Sequence, residues 1–273
     1  MTEDSRYLRQ IDLFGAAGQD RLARATVGYP GLGGLGSHHV RLSAYLGVRS
    51  FVLVDGDTTS EHGLNRQVTA YPSDIDELKA DLAKREILKI APTANVIVVP
   101  KHLPHPDAMA ALAEVDLLIG GLDHDLPRLQ LTDFASANGI PYIDAATDVV
   151  DVDGPPVYGG RVVCAGITPG CLHCLDQLDK DAIRRATMTD EQLAVEAAIY
   201  GVPVESLHPQ TGPSVVTINS VVASLAITEA MALLTGLRNP QRHLVYRGDI
   251  GTVRLNIDPP QSGCPYCARW GRS

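Results

Sequence analysis

What the sequence lacks narrows the reading first. Only 5% of its 273 residues are aromatic, with one Trp and three Phe, and 23 Lys and Arg stand against 32 Asp and Glu, a formal net charge of −9. No cationic excess exists to neutralise a phosphate backbone or an anionic bilayer. General nucleic-acid and membrane-surface binding are thereby excluded, while small anions remain possible in locally basic pockets. The chain has no apolar run of the roughly eighteen residues a membrane span needs. Residues 1–10 are polar and charged rather than a basic stub before an apolar stretch, so the chain reads as cytoplasmic. No cysteine occurs between 175 and 263.

The five cysteines that are present form a pattern. Cys171 and Cys174 make one C-x-x-C, Cys264 and Cys267 another, and Cys164 stands alone. Two such pairs supply four thiolates, the complement of a closed tetrahedral zinc site, structural rather than catalytic. Disulfides are disfavoured in a reducing compartment, and a redox C-x-x-C needs only one pair. Cys164, in an expected strand, reads as a small buried apolar residue.

An apolar fraction of 45% and a charged fraction of 20% describe an ordinary globular chain, long enough for one large domain over 1–273. Residues 6–25 carry apolar side chains at helical spacing, broken at Gly15 and Gly18, and predict short helices. Strands are expected at 25–30, 50–55, 95–99, 115–119 and 141–143, alternating with helices at 37–47, 75–90, 107–113 and 127–138. This alternation predicts an α/β fold: a doubly wound, mostly parallel sheet with helices on both faces. Beyond it, 148–156 reads as a loop, 157–164 as a strand and 178–205 as a mobile crossover or short helical excursion. Residues 215–234 read as a buried helix, and 244–246 and 252–257 as closing antiparallel strands.

The turn Gly31-Leu32-Gly33-Gly34-Leu35-Gly36 fits the fingerprint in which glycines let the backbone approach phosphates at a helix N-terminus. Asp55 follows about 20 residues on, where an acid at the end of a second strand can accept hydrogen bonds from ribose hydroxyls. Together they point to an adenosine nucleotide, NAD and ATP both remaining open. His38 and His39, just after the turn, read as helix-face residues.

Arg6-Tyr7-Leu8-Arg9-Gln10, the G-x-G-G-x-G turn, Asp55-Gly56-Asp57, Leu64-Asn65-Arg66-Gln67, Lys79, Asp123 and the paired C-x-x-C motifs occur in one order. In that order the chain resembles the ThiF/MoeB/HesA superfamily, relatives of the ubiquitin-activating enzymes, over about residues 5–268, and its motif content is most similar to the zinc-containing MoeB branch. The resemblance implies a Rossmann-like fold and an adenylyltransferase that uses ATP and magnesium to activate a C-terminal glycine carboxylate as an acyl-adenylate, releasing pyrophosphate. The substrate implied is a small ubiquitin-fold or sulfur-carrier protein ending in Gly-Gly, or a peptide. By the same resemblance, residues 5–25 form an N-terminal arm, 26–147 the nucleotide-binding half, and 148–273 the partner-binding half with the zinc site and a crossover segment at about 176–212.

By match to the family, Arg66 and Lys79 hold phosphates, Asp123 coordinates magnesium, Asp55 binds ribose with Asp57 beside it, Gly31, Gly33, Gly34 and Gly36 cradle the nucleotide, and Arg128 lies next to the site. Arg9 resembles an arginine that reaches the ATP of the opposite subunit, which implies a homodimer. Many relatives carry a cysteine in the crossover segment; without one here, the acyl group passes to an external thiol, sulfide or amine. The run 209–216, with Glu229 beyond it, is similar to bacterial relatives found with ubiquitin-like modifiers. Three positions depart from the family pattern: Pro30 replaces an aliphatic residue and removes a backbone donor, Gly63 stands where an asparagine is common, and Asp76 stands in place of a glycine. An NAD-dependent oxidoreductase and a catalytically silent nucleotide-binding platform are the alternatives, though the oxidoreductase explains neither Lys79 nor residues 64–67.

Overall fold

Short β-branched runs closed by glycine or aspartate build the centre of the molecule. The computed structural model describes residues 3–150, 154–207 and 212–270. Helix α1 (Leu8–Arg24) bends at Gly15, whose φ of 76° ends one helical segment and starts the next, whereas Gly18 continues the helix. Then follow β1 (Thr26–Pro30), α2 (Gly34–Leu46), β2 (Ser50–Val54), α3 (Lys79–Ile90), β3 (Asn95–Val99), α4 (Pro106–Leu112), β4 (Leu117–Gly120) and α5 (Asp125–Asn138). The second half contributes β5 (Tyr142–Val150), β6 (Val157–Ala165), α6 (Lys180–Ala186), α7 (Asp190–Tyr200), α8 (Val216–Thr235), β7 (His243–Arg247), β8 (Thr252–Leu255) and α9 (Cys267–Trp270).

Among the described residues the strands form one sheet in the order β3-β2-β1-β4-β5-β6-β7-β8. The first five run parallel, and β5–β6, β6–β7 and β7–β8 pair antiparallel. The expected α/β architecture is present, with antiparallel strands closing the sheet. One apolar core lies under α2, α3 and α8, and another lies under α4 and α5 on the opposite face.

Three elements differ from the sequence expectation. Strand β5 runs to Val150 through residues read as loop, because all nine of its residues pair with β6; positions 151–153 of that loop lie outside the described residues. Helix α3 starts at Lys79 rather than at 75, since Asp76 adopts a φ of 72° and breaks any helix there. The crossover contains two capped helices: Asp179 accepts from the N–H groups of Asp181 and Ala182 to start α6, and Thr189 with Gln192 forms a capping box on α7. Of the 209–216 run, positions 209–211 lie outside the described residues.

Helix α8 is, among the described residues, the one helix long and apolar enough to cross a membrane. Here it packs against α1, α2, β5 and β6, with Ile218, Val222, Ala226 and Ala230 buried.

Candidate active site and metal centre

The strand order reverses direction of growth between β1 and β4, so the loops leaving their C-terminal ends diverge and open a crevice. The glycine turn occupies that crevice. Gly31 adopts a φ of 83°, and a Cβ there would stand 2.8 Å from the Gly121 carbonyl oxygen, so only glycine lets the β1 and β4 loops meet. At Gly36 a Cβ would fall 1.9 Å from the Gly31 carbonyl oxygen. Gly33 has open space where its Cβ would be. The turn is therefore tight at its two ends and open at Gly33, at the N-terminus of α2, where backbone N–H groups and the helix dipole favour an anion.

Asp55 secures this turn from β2. Its two carboxylate oxygens accept the Leu32 N–H at 2.6 Å and the Asp57 N–H at 2.8 Å. Burial raises its carboxyl above the usual range, with Lys79 and these two hydrogen bonds opposing the rise. Asp57 faces outward and holds the Lys79 ammonium at 2.7 Å, with His102 Nε2 3.8 Å from its other oxygen. Arg66 arches over the turn: its Cδ would lie 3.4 Å from a Cβ on Gly34, and its Nη1 donates to the His62 carbonyl at 2.5 Å. Asp123, beyond β4, has a side chain 77% exposed, with His124 Nε2 3.8 Å away.

Arg128 lies behind the loop that carries Asp123. Its guanidinium is buried beneath the site, donating to Asp125 Oδ1 at 3.0 Å and to the Leu122 carbonyl at 2.5 Å, with Nε 3.7 Å from Asp144. It holds the 122–125 loop, and Asp123 with it, from behind. Asp144 is fully buried on β5 and also accepts from Arg161 and from the Tyr142 hydroxyl, each at 2.6 Å. Burial alone would raise the Asp144 carboxyl; the two guanidiniums outweigh it and hold the carboxyl below its ordinary value. Arg9 is exposed on the first turn of α1, which Gln10 and Gln19 tie to the Leu46 carbonyl at 2.8 and 3.0 Å.

The family model described as "ThiF family" matches residues 7–266. The chain belongs to the ThiF family. It is 28% identical to the sulfur carrier protein adenylyltransferase of Thermus thermophilus, over 97% of this chain and 91% of that protein. It is 26% identical to two Escherichia coli proteins, the sulfur carrier protein ThiS adenylyltransferase (96% and 94% covered) and the molybdopterin-synthase adenylyltransferase (97% and 96%). Among solved structures, E. coli MccB with ATP matches with a TM-score of 0.73 and 22% identity, covering 97% of this chain and 74% of that one. MccB in complex with N-formylated MccA matches with a TM-score of 0.75 and 20% identity over 97% and 75%. At that identity the likeness supports the fold.

The departures from the ThiF pattern have local explanations. Pro30 ends β1, where Gly31 N–H donates to Val54 and the Pro30 carbonyl accepts from Gly121, so the missing donor leaves the turn anchored on both sides. At Gly63 a Cβ would meet only Gln67 and Ser60 atoms at 3.7 Å, so a side chain would fit. Asp76 occupies the left-handed region that glycine favours.

The cysteine arithmetic becomes a cluster. The sulfurs of Cys171, Cys174, Cys264 and Cys267 lie within 4.8 Å of one another, with separations of 3.8 Å for 171–174 and 3.6 Å for 171–264 and 174–267. A tetrahedral zinc with Zn–S bonds of about 2.3 Å would space its sulfurs by about 3.8 Å. The four residues thus fit zinc, with no position left for a substrate. Hydrogen bonding from neighbouring thiols, Cys267 first, pulls the Cys171 thiol down to about 5. The cluster ties α9 under α5: Trp270 donates to the Ile140 carbonyl at 3.0 Å, and Arg269 pairs with Asp133. Cys164 is buried in β6, and burial pushes its thiol far up, as befits a packing residue.

Sequence reasoning missed Asp144, Arg161 and Asn219. Asp144 and Arg161 lie in unexceptional strand sequence, and their partnership arises only through the β5–β6 register. Asn219 interrupts an apolar helix, and that interruption is its one signal.

Proposed function

We propose that this protein is an ATP-dependent adenylyltransferase that activates the C-terminal glycine carboxylate of a small ubiquitin-like or sulfur-carrier protein, or of a peptide. The observation that carries the reading is the glycine turn, open at Gly33 and ringed by Arg66, Lys79, Asp57 and Asp123 at the C-terminal ends of β1, β2 and β4. Two cations and an exposed acid near the turn suit a triphosphate and its magnesium ion.

In this mechanism a substrate carboxylate oxygen attacks the α-phosphorus of ATP, the bond from that phosphorus to the α,β-bridging oxygen breaks, and pyrophosphate leaves with the electron pair. The carboxylate is already ionised at neutral pH, so no general base is required. Catalysis consists of positioning and of neutralising charge on phosphate oxygens, the tasks of Arg66 and Lys79, with Lys79 exchanging Asp57 for phosphate. Asp123 would hold magnesium through its carboxylate, and the ion supplies further charge neutralisation when bound. Asp55 shapes the turn and faces the ribose side, and the buried Arg128 positions the Asp123 loop. Arg9 acts across a homodimer interface. With four cysteines committed to the zinc cluster and Cys164 buried, the acyl-adenylate passes to an external thiol, sulfide or amine.

The test is ATP–pyrophosphate exchange with magnesium, using a panel of small proteins and peptides ending in Gly-Gly. Exchange should require a partner and fall at least about a hundredfold in Asp123→Ala, the loss expected for a major electrostatic stabiliser. ATP binding without exchange for any partner, or exchange indifferent to Asp123, would sink this assignment.

A further inference from the structure

Gly33 and Gly34 are adjacent, yet they are glycines for opposite reasons. Above Gly33 there is space for an incoming anion; above Gly34 a Cβ would stand 2.4 Å from Asn219 Nδ2. Asn219 sits in the first turn of α8, is 1% exposed, and is 72 residues from its nearest partner on β5. Its Oδ1 accepts the Thr147 hydroxyl at 2.9 Å, and its Nδ2 donates to Ser214 Oγ at 3.1 Å. One carboxamide therefore joins three pieces of chain: the outer half of β5, the segment leading into α8, and the first residue of α2.

The sheet order gives that junction a direction. Asp55 and Asp57 occupy the β2 side of the glycine turn, the nucleoside side in this fold. An acyl chain that meets the α-phosphate must then enter from the β4–β5 side, where Thr147 and Ser214 lie. We propose that Asn219 is a positioning residue that fixes the acyl-entry side of the site against the phosphate turn, so that carboxylate and α-phosphate meet in line. The inference rests on the adenylation reading above. A loosened junction leaves phosphate binding at Gly33 intact while spoiling approach geometry, and displacements of an ångström cost rates of this kind about tenfold to a hundredfold.

The experiment combines ATP binding by calorimetry with pyrophosphate exchange on Asn219→Ala, Asn219→Asp, Gly34→Ala and the Gly34→Ala/Asn219→Ala pair, with thermal melting to confirm folding. Asn219→Ala should bind ATP within about threefold of wild type while kcat for exchange drops at least tenfold, a split that general loosening of the fold would not produce. Asn219→Asp puts a negative charge beside the phosphate turn and should weaken ATP at least tenfold. Gly34→Ala should weaken ATP through its collision with Asn219, and removing that side chain in the double variant should restore binding. Unaltered kcat in Asn219→Ala, or full ATP affinity in Gly34→Ala, would overturn the proposal. Were no partner to support exchange, the adenylation reading would fall, and the four ATP-binding comparisons would still decide whether Asn219 contacts the turn. Failure of the wild-type protein to bind ATP would overturn both.

Discussion

Replacing Asp144 by Asn should be the most damaging isosteric change in the molecule. The carboxylate is fully buried, and Arg161 at 2.6 Å and Arg128 at 3.7 Å both face it. Asparagine keeps the volume but removes the charge, leaving two enclosed guanidiniums with Asp125 as the remaining acid beside Arg128. Breaking a buried pair from one side costs about 3–5 kcal/mol, about a fifth or more of a typical domain's total stability. With a urea m-value of about 3 kcal/mol/M, the midpoint should fall by roughly 1–1.7 M at constant m. The pH dependence supplies a second reading. Because Asp144 has a lowered carboxyl in the fold, its stabilisation is complete above the unfolded-state value near 3.9 and is lost as pH falls from there through the folded value. The gap between wild type and variant should therefore hold constant from about pH 5 to 8 and close in acid. Arg247→Ala, which removes the peripheral Arg247–Asp249 pair, serves as a control and should leave the midpoint nearly unchanged. A midpoint shift for Asp144→Asn no larger than the control's, or a gap unchanged below pH 3, would refute the reasoning.

Other perturbations test separate parts of the structure. Removing metal with a strong chelator, or Cys264→Ser, should expose the single tryptophan, Trp270, three residues from Cys267, and red-shift its emission; metal analysis should find zinc before and not after. His39 is buried with neither ring nitrogen partnered, and burial, with His38 adding to it, lowers its value to about 3. The unfolded chain takes up a proton near 6.5 that the fold rejects, so stability should fall as pH drops below 6.5, by about 2 kcal/mol at pH 5, and His39→Leu should flatten that slope in pH-dependent urea melts. Asp76→Gly relieves a left-handed conformation and should raise stability by about 1 kcal/mol in the same assay, with Asp76→Ala giving no such gain.

How much of this could be read in advance depends on how local each signal is. The parallel half was legible because its strands are short apolar runs, most of them closed by Gly or Asp, and the glycine turn, Asp55 and the cysteine pairs are defined by spacing within a few residues. The outer part of β5 was not. Asp148 looks like a loop residue until β6 supplies the backbone ladder, and nothing in the sequence joins Asp144 to Arg161. The capping box Thr189-x-x-Gln192 carried enough information to predict α7, but the weak apolar pattern around it obscured the signal. Arg128 was found as a residue near the site while its direction was not, because only the tertiary placement of Asp144 turns it inward. Asn219 depends on contacts 72 residues apart, beyond the reach of any periodicity.

The four-cysteine cluster also sets an order on how the molecule is made. Its two ligand pairs are 93 residues apart, Cys171 to Cys264 and Cys174 to Cys267. At elongation rates of about 5–20 residues per second, the first pair waits roughly 5–20 s on the ribosome before the second is even synthesised. Through that interval a nascent chain can arrange its parallel strands, yet it holds only half of a metal site. Zinc starvation should therefore leave chains that are fully translated but unlatched at α9, a defect that appears after synthesis and is repaired by supplying the ion rather than by making the protein again.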